Sequence, residues 1–376
     1  MNLLRASVIL LTSLATLYAA LIICLTFETP QRWVIYFHWL HIPLFPKFHS
    51  PEHFGFAHNS IRNFKIQTND NLSLGAWHIL PKDYHTKEGL RYIGKVDDDV
   101  FDRALQDPDY ETVIYFHGNA LSRASSMRID LYKNLMNRYP KLNIFTIDYR
   151  GFGDSNGIPS EDGLALDARA AWDWLMSKKV SPDRITLIGH SLGTGVSTTL
   201  AHDVSKAGTP PKALILKAAF ASLPRLVLEY RLLEIIHILG PLNQIPIGNE
   251  WFKSHLKSKF DSLSRIPDVD CPILIVVGSK DFEIPATQSN LLFYGAIGGN
   301  PIQYNKQWLE NGPSNIQVSQ VENEATVYTT SKSTTKSSAA MVKLVCLEHA
   351  NHNNLGYYDY FYESVHDITS WQTIDM

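Results

Sequence analysis

A serine between two glycines, placed at the end of a buried strand, most constrains how this chain can fold. The pentapeptide GHSLG (residues 189–193) follows the apolar run at 184–187 and precedes the helix-competent stretch "TGVSTTLAHDVSK". In a G-x-S-x-G pattern the serine occupies a sharp strand-to-helix turn, and the glycines leave room for the helix to approach the strand closely. We therefore predict that Ser191 is a nucleophile, the alternative being a structural turn serine. The Leu192 N–H, at the start of the helix, would then donate to an oxyanion.

The rest of the chain alternates short β-branched runs with helix-patterned stretches from residue 60 onward. The segments "NFKIQT" and "LSLGAWHIL" predict a hairpin. Six further segments predict buried strands: "TVIYFHG", "LNIFTIDYRG", "RITLIGHS", "KALILKAAF", "CPILIVVGSKD" and "MVKLVCLEH". A helix is predicted over residues 163–178, introduced by a turn in which Ser160 offers an N-cap. This alternation predicts an α/β fold with a mainly parallel central sheet and helices on both faces, and functional groups at the carboxyl ends of the strands.

Three stretches interrupt the alternation: an acidic segment near residues 96–110 and, further along the chain, two inserts. The first insert, at about 221–265, contains "LPRLVLEYRLLEIIHILGPL", whose apolar residues recur at helical spacing. It predicts a helical cap, either packed shut or acting as a lid that admits an acyl chain. The second, at about 300–339, contains "YTTSKSTTKSSAA" and lacks the apolar content for packing, so a surface loop is predicted there.

A serine nucleophile needs a base and an orienting carboxylate, which follow in the order Ser, Asp/Glu, His. Asp281 lies at the carboxyl end of the strand "CPILIVVG", with Glu283 as its competitor. After the last strand, "EHANHNNL" offers His349 and His352. A loop that carries the imidazole back over Ser191 favours the later histidine. We predict Asp281 as the acid and His352 as the base.

The second oxyanion donor is expected in the loop after an earlier strand of the sheet. The segment "VIYFHGNA" supplies this loop, and the candidate is the N–H of Asn119 or, second, of Ala120. His117 ends that strand and is expected to shape the turn, as a His-Gly pair does in such loops. His190 adjoins the nucleophile and is expected to be a packing residue.

The amino terminus predicts a membrane anchor over residues 1–30. Residues 6–27, "ASVILLTSLATLYAALIICLTF", carry no charge, and about 22 helical residues span the ~30 Å hydrocarbon core. The alternatives are a cleaved signal peptide and a buried helix. The run is longer than a signal-peptide core and lacks a convincing cleavage site, which favours an uncleaved anchor.

The segment that follows the anchor is rich in aromatic residues. "WVIYFHWLHIPLFPKF" (residues 33–48) is broken by prolines, and Trp and Tyr favour the membrane interface. Residues 31–58 are therefore predicted to be an interfacial linker, with core packing as the alternative. The domain that carries Ser191 and both inserts is assigned to residues 59–376.

Composition argues against several other classes of partner. The chain of 376 residues has 34 Lys and Arg against 37 Asp and Glu, a formal net charge of -3, so no nucleic-acid partner is expected. Cys24, Cys271 and Cys346 have no metal-ligand spacing and are too few for a disulfide framework, so we expect free thiols. No metal or cofactor is expected.

Four blocks resemble the α/β-hydrolase superfamily: "YFHGNALSRA", "DYRGFGDSNGIPSEDGL", "IGHSLGTGVSTTLAHDVSKAGTPPKALIL" and "SKDFEIP". Within it, they and "RNFKIQTNDNLSLGAWHILP" are similar to the membrane-anchored lysophosphatidylserine and monoacylglycerol lipase branch, the alpha/beta-hydrolase domain-containing protein twelve group. The likeness covers roughly residues 35–299 and resumes near 340. Two features depart from it: "LKAAF", which places Lys217 where relatives usually carry Glu-Ser-Pro or similar, and the long insert at 300–339.

The resemblance implies a triad of Ser191, Asp281 and His352, with an oxyanion hole near Asn119 and Leu192. It implies hydrolysis of lipid esters, lysophospholipid or monoacylglycerol, without a cofactor. Four further positions match family scaffold residues and are expected to organise the loop beside the nucleophile: Asp148, Arg150, Asp154 and Ser155.

The resemblance also implies a single-pass protein of the endoplasmic-reticulum membrane with a lumenal catalytic domain. Charge does not fix this topology, but Asn71-Leu72-Ser73 is a glycosylation sequon that would report it if modified. Two other functions stay open from the sequence. A protein acyl-thioesterase would use the same triad to remove palmitate from cysteine, and a membrane scaffold could keep the hydrolase fold without its chemistry.

Overall fold

The amino-terminal helix is long and apolar enough to cross a membrane. The computed structural model describes residues 2–231, 237, 239–301, 303–304, 308–309, 316–332 and 339–373. Helix α1 spans Asn2–Cys24, and only 6% of its most apolar window is buried by the rest of the protein. Its hydroxyl groups donate to carbonyl oxygens one turn earlier, from Ser7 to Leu3, from Thr12 to Val8 and from Thr16 to Thr12. These three hydroxyl groups therefore find partners within the helix, as an apolar surrounding requires.

A ten-stranded sheet forms the centre of the described chain. Its strands are β1 (Ile61–Gln67), β2 (Ser73–Ile79), β3 (Glu111–Phe116), β4 (Leu142–Ile147), β5 (Ile185–His190), β6 (Ala213–Lys217), β7 (Ile273–Gly278), β8 (Gln317–Val321), β9 (Ala325–Lys332) and β10 (Ala340–Leu347). They lie in the order β1-β2-β4-β3-β5-β6-β7-β10-β9-β8.

The middle of this sheet is parallel and its two edges are antiparallel. Strand β3 pairs in parallel with β4 and β5, and the parallel series continues through β6, β7 and β10. Antiparallel pairs join β1, β2 and β4 at one edge and β8, β9 and β10 at the other. Every residue of β4, β5, β6 and β7 is buried, as expected for parallel strands covered on both faces. The predicted hairpin, six buried strands and mainly parallel sheet are confirmed.

Helices cover both faces of the sheet. The helices after α1 are α2 (Glu28–Tyr36), α3 (Lys82–Lys87), α4 (Asp98–Gln106), α5 (Ser126–Arg138), α6 (Glu161–Ser177), α7 (Leu192–Lys206), α8 (Leu223–Leu226), α9 (Pro246–Ser254), α10 (Ser262–Arg265), α11 (Ala286–Ala296) and α12 (Asp359–Thr369). One apolar core packs α6, α7 and α11 against the sheet, and a second packs α5 and α12 against its other face. Helix α6 begins at Glu161, two residues before the predicted start, and Ser160 is its N-cap as predicted: the hydroxyl accepts a hydrogen bond from the Gly163 N–H at 3.1 Å.

The prediction of a surface loop over residues 300–339 is wrong for residues 317–332. These residues form β8 and β9, a hairpin that extends the sheet beyond β10. Ala325 and Val327 of β9 are buried, and Val327 pairs with Val345 of β10. The Ser/Thr bias concealed a half-buried strand, because small apolar residues at alternate positions suffice to cover one face of an edge. Residues 333–338, the centre of the polar tract, lie outside the described residues.

The aromatic segment after the anchor divides between core and surface. Tyr36 is 1% exposed and joins the main core, and Phe48 is buried in the second core. Trp39, Leu44 and Phe45 are 54%, 75% and 89% exposed. The segment therefore packs into the domain at two points and presents an apolar surface between them.

The cap insert contacts the end of α1. Its described part contains α8, α9, α10 and a short 3-10 helix, while residues 232–236 and 238 lie outside the description. Tyr18, Ile22 and Leu25 recur at i, i+4 and i+7, so they share one face of the helical turn. They pack against a set of cap residues, Leu228, Leu239, Leu242, Phe252 and Leu256. The helix that would cross the membrane is thus joined to the cap by an apolar cluster.

A buried ion pair holds the loops beside β4. The guanidinium of Arg123 contacts Asp148, and both side chains are completely buried; Arg123 also reaches Asp154 at 2.7 Å. The Arg123 guanidinium stacks 3.9 Å from the centre of the Phe48 ring. Burial alone would raise the pKa of Asp148, but Arg123 and His117 outweigh it and hold that pKa below its ordinary value. The carboxylate is therefore ionised and depends on its cation.

We expect Arg123→Met to destabilise the fold by roughly 3–5 kcal/mol, because it leaves the Asp148 charge buried without its partner. The matched control is Arg103→Met, which removes an exposed pair with Asp99 and should cost no more than about 1 kcal/mol. Urea unfolding of the detergent-solubilised protein measures both changes. Equal losses in the two variants would contradict this account of the buried pair.

Candidate active site

Ser191 occupies a sharp turn between β5 and α7. Strand β5 ends at His190 and α7 begins at Leu192, so the turn consists of the serine alone. Its backbone has φ 53° and ψ -120°, a conformation that costs of order 1–3 kcal/mol for a residue with a side chain. The Ser191 N–H donates to the carbonyl of Lys217 at 2.9 Å, which ties the turn to the neighbouring strand β6. The predicted position of the nucleophile candidate, at the carboxyl end of a central strand, is confirmed.

The two glycines around Ser191 permit a close approach of helix to sheet. A Cβ atom at Gly193 would lie 2.1 Å from the carbonyl oxygen of Phe116 at the end of β3. A Cβ atom at Gly189 would lie 2.3 Å from Oγ of Ser197 in α7 and 2.4 Å from the carbonyl oxygen of Gly193. Such distances are far inside van der Waals contact, so any side chain here would force α7 away from the sheet.

His352 and Asp281 are brought together from two loops 71 residues apart. Nδ1 of His352 lies 2.8 Å from Oδ2 of Asp281, and both side chains are buried. The other carboxylate oxygen, Oδ1, accepts hydrogen bonds from the N–H groups of Glu283 at 3.0 Å and Ile284 at 2.8 Å. The carboxylate is therefore fixed by the backbone after β7, and it fixes the imidazole in turn.

The two competing residues have different positions. His349 is exposed, at the start of the loop that carries His352. A carboxylate oxygen of Glu283 lies 3.9 Å from Nε2 of His352, on the opposite side of the ring from Asp281, and accepts from the Tyr230 hydroxyl at 3.3 Å. Of the two carboxylates, Asp281 has the position that orients the imidazole.

His190 has a more specific position than packing alone. It is buried, and its Nε2 donates to the backbone carbonyl of His352 at 3.0 Å. Burial, together with the nearby His352 and Lys217, lowers the pKa of His190 well below its ordinary value, so the ring is neutral. This hydrogen bond holds the loop of His352 against the residue that precedes Ser191. The GHS sequence alone gave no sign of it.

In the loop after β3, one of the two candidate N–H groups already makes a hydrogen bond. The Ala120 N–H donates to the carbonyl of Tyr36 at 2.9 Å, so the second-choice oxyanion donor is occupied and Asn119 keeps its place as the candidate. Arg128 of α5 donates to the carbonyl oxygens of this loop, among them Gly118 at 3.2 Å and Ala120 at 2.9 Å. Sequence reasoning missed Arg128, because a lone arginine in a helix carries no motif. Its guanidinium binds the carbonyl oxygens of this loop together.

The second oxyanion candidate lies at a helix start. Leu192 is the first residue of α7, where N–H groups have no acceptor within the helix. The positive end of the helix dipole lies at the same point. Asn119 and Leu192 both line the same pocket as Ser191.

An apolar pocket extends from Ser191 toward the end of α1. Its empty volume, including its open mouth, is about 820 Å³. Side chains from four parts of the chain line it, including Leu25 after α1, Ile35 of α2, Leu226 of α8 and Phe220 after β6. The site therefore combines a polar edge, which carries the candidate triad, with an apolar chamber.

Acyl transfer by a serine nucleophile requires an imidazole held by a carboxylate and preorganised N–H donors. Serine hydrolases are the class of enzyme that has this set of groups at the carboxyl edge of the sheet in this fold. A family model described as alpha/beta hydrolase fold matches residues 111–232. An esterase of Pyrococcus furiosus has a solved structure that shares the fold, with a TM-score of 0.52 at 15% identity, covering 85% of this chain and 93% of that one.

Curated relatives narrow the class. Lysophosphatidylserine lipase ABHD12 of Danio rerio is 28% identical over 283 residues, which cover 73% of this chain and 69% of that protein. Protein ABHD12B of Homo sapiens is 31% identical over 264 residues, covering 69% and 68%. The match to the Rattus norvegicus lipase of the same name spans 61% of its length. The chain belongs to the α/β-hydrolase superfamily, in its ABHD12 branch, and is a serine ester hydrolase.

Lys217 is an unusual neighbour for this site. It ends β6, its side chain is buried, and its Nζ lies 5.2 Å from the centre of the Phe361 ring. Among the residues that the structure describes, no carboxylate pairs with it. Burial lowers the pKa of Lys217 from 10.5 to about 7. The departure noted in "LKAAF" thus places an amine in the core near Gly356 and Phe361, without a carboxylate partner in the described part of the chain.

We expect Lys217→Met to stabilise the protein, and more so at pH 6 than at pH 10. The unfolded chain binds the lysine proton up to about pH 10.5 and the folded chain only up to about pH 7. Stability of the wild type therefore rises with pH between these values, and the burial penalty is fully present below pH 7. Thermal melts at the two pH values measure the difference.

The control for this measurement is Lys343→Met, because Lys343 is equally buried but pairs with Asp367 at 2.6 Å. It should show no comparable gain at low pH. A gain for Lys217→Met that is the same at both pH values would contradict the assignment of a depressed pKa.

Proposed function

We propose that this chain is a membrane-anchored serine hydrolase that cleaves the ester bond of a lipid, either a lysophospholipid or a monoacylglycerol. The observation that carries the proposal is the apolar pocket that joins Ser191 to the end of α1. Such a lining removes an acyl chain from water, which contributes about 0.8 kcal/mol per buried methylene. The relatives named lysophosphatidylserine lipase support the same substrate class.

In the proposed reaction Ser191 attacks the ester carbonyl carbon while Nε2 of His352 takes the hydroxyl proton. Asp281 accepts the hydrogen bond from Nδ1 of His352, which makes Nε2 the unprotonated ring nitrogen that acts as the base and stabilises the imidazolium that forms. The N–H groups of Asn119 and Leu192 stabilise the negative oxygen of the tetrahedral intermediate.

Collapse of this intermediate breaks the bond between the carbonyl carbon and the leaving oxygen. The leaving alcohol takes the proton from His352 and departs with the head group. Water then attacks the acyl group on Ser191, gives a proton to His352, and releases the fatty acid as the serine regains its proton. The acyl chain stays in the apolar pocket through both halves of the reaction.

We further propose that α1 is the anchor and that residues 31–58 lie at the membrane interface. The exposed side chains Trp39, Leu44 and Phe45 support an interfacial position, because large apolar groups on a surface favour the boundary between water and acyl chains. The pocket borders the end of α1, so the acyl chain of a membrane lipid would have a short path to Ser191. The membrane is proposed to be the endoplasmic reticulum, with the catalytic domain in its lumen.

A lumenal domain should acquire an N-glycan at Asn71. This residue is exposed in the turn between β1 and β2, with φ 62°, so an acceptor asparagine is accessible there. Expression in eukaryotic cells should give a mobility shift that endoglycosidase H removes and Asn71→Gln abolishes. The opposite topology would give wild-type protein in membranes that shows no mobility shift and whose domain is digested by protease added from the cytosolic side.

Substitution of the triad residues tests the mechanism. We expect Ser191→Ala to abolish labelling by a fluorophosphonate probe and to lower ester hydrolysis by at least ~10⁴-fold, and Asp281→Asn to lower kcat by about 10³–10⁴-fold. Glu283→Gln is the matched control at the neighbouring carboxylate and should cost less than about tenfold. If kcat falls further in Glu283→Gln than in Asp281→Asn, then Glu283, and not Asp281, is the carboxylate that orients His352.

A substrate panel tests the proposed chemistry. Lysophosphatidylserine, other lysophospholipids, monoacylglycerol and an S-palmitoyl peptide are compared with the detergent-solubilised full chain. The proposal predicts that the lipid esters are turned over faster than the thioester. If the thioester is turned over faster, depalmitoylation replaces lipid-ester hydrolysis as the proposed function. If the protein is labelled by the fluorophosphonate probe but cleaves none of these substrates, the assignment of a lipid substrate is wrong.

A further inference from the structure

The last turn of α1 differs from the rest of that helix. Leu17 and Leu21 are 68% and 43% exposed, as expected for side chains that face lipid. Ile22 and Leu25 are only 5% and 9% exposed, because the cap covers them. A helix that served only as a tether would need no such buried face.

Leu25 takes part in two apolar assemblies. It belongs to the cluster that joins α1 to the cap, and it also lines the pocket that contains Ser191. Leu239 of the cap shares both positions. The seam between α1 and the cap is therefore also a wall of the pocket.

The chain that follows α1 continues this wall. Val34 and Ile35 of α2 line the same pocket, so residues on both sides of the proposed membrane boundary contribute to one surface. Phe220, beyond the end of β6, is on the wall contributed by the body of the domain, and Leu223 of α8 is on the wall contributed by the cap. The pocket is thus closed only when the end of α1 is in place.

We propose that Leu25, at the end of the membrane helix, determines which acyl chain lengths the enzyme accepts. This inference rests on the proposed function, since it assigns the pocket to the acyl chain of an ester substrate. Leu25 contacts the part of the chain that lies beyond the reacting carbonyl, so a short acyl group does not reach it. The anchor then acts as part of the substrate site in addition to holding the enzyme at the membrane.

The size of the effect follows from packing. An apolar pocket discriminates by about 10–200-fold for each methylene group that it accepts or rejects. Replacing Leu25 by tryptophan adds a bulky ring to the wall and shortens the space available. Replacing it by alanine removes contacts that only a long chain makes.

The experiment uses full-length protein in one detergent and a series of p-nitrophenyl esters from butyrate to palmitate. All members share a leaving group, so the series reports acyl length alone. The quantity measured is the ratio of kcat/KM for palmitate to that for butyrate. We expect Leu25→Trp to lower this ratio by roughly tenfold or more.

The matched control is Leu17→Trp, the same substitution two helical turns earlier on an exposed position of α1. It should leave the ratio within about twofold of the wild type. An unchanged ratio in Leu25→Trp would overturn the inference, and so would an equal fall in both variants. Fluorophosphonate labelling of each variant confirms that the site is folded.

If Leu25→Trp does not fold, Leu25→Ala carries the test against Leu17→Ala. We expect its ratio to fall severalfold, because the lost contacts serve only long chains. No fall in a labelled Leu25→Ala protein would overturn the inference. Failure of the proposed function looks different: wild-type protein would then cleave the chromogenic esters but no lysophospholipid or monoacylglycerol.

Discussion

The close approach of α7 to the strands β3 and β5 is the contact on which the site depends. A side chain at Gly193 would meet the carbonyl of Phe116, and one at Gly189 would meet Ser197 and the Gly193 carbonyl. Because α7 lies this close, the chain must turn from strand to helix within Ser191 alone. The strained backbone of that residue follows from the approach, and the fully buried parallel strands beneath it supply the packing that offsets the strain.

Once the turn is fixed, backbone contacts align the other loops on it. His190 donates to the carbonyl of His352, which places the loop of this candidate base beside the turn. Arg128 gathers the carbonyls of the loop after β3, and the Tyr36 carbonyl accepts the Ala120 N–H. These contacts are made by groups that do not react. The positions of the candidate site residues therefore depend on hydrogen bonds made by their neighbours, as preorganised sites require.

The sequence predicted most of the fold and the position of the candidate triad, for physical reasons. Buried parallel strands are continuous apolar runs and Ser191 sits in a turn that only glycine-flanked sequences permit, so both leave clear patterns. Arg128 left none, since its role arises only when α5 is placed beside a loop it does not adjoin in sequence. The strands at 317–332 were mistaken for a loop, because an edge strand needs few apolar residues. The part played by Leu25 was hidden because every residue of α1 looks apolar in sequence, whichever side it faces.

The division into anchor, linker and hydrolase domain at residues 30 and 58 stays a prediction, and the contacts argue against treating the parts as separable. The Gln31 side chain donates to the His255 carbonyl at 2.9 Å and accepts from the Lys257 N–H at 2.9 Å, so the start of the linker is bonded to the end of the cap. Tyr36, five residues later, is in the main core and holds the loop of Asn119 through Ala120. A chain cut at residue 58 would therefore lose a wall of its pocket and a support of the loop of Asn119 together. Helix α1 and the edge that carries the candidate triad are linked by the same few residues, which gives the proposed anchor a structural influence on the site.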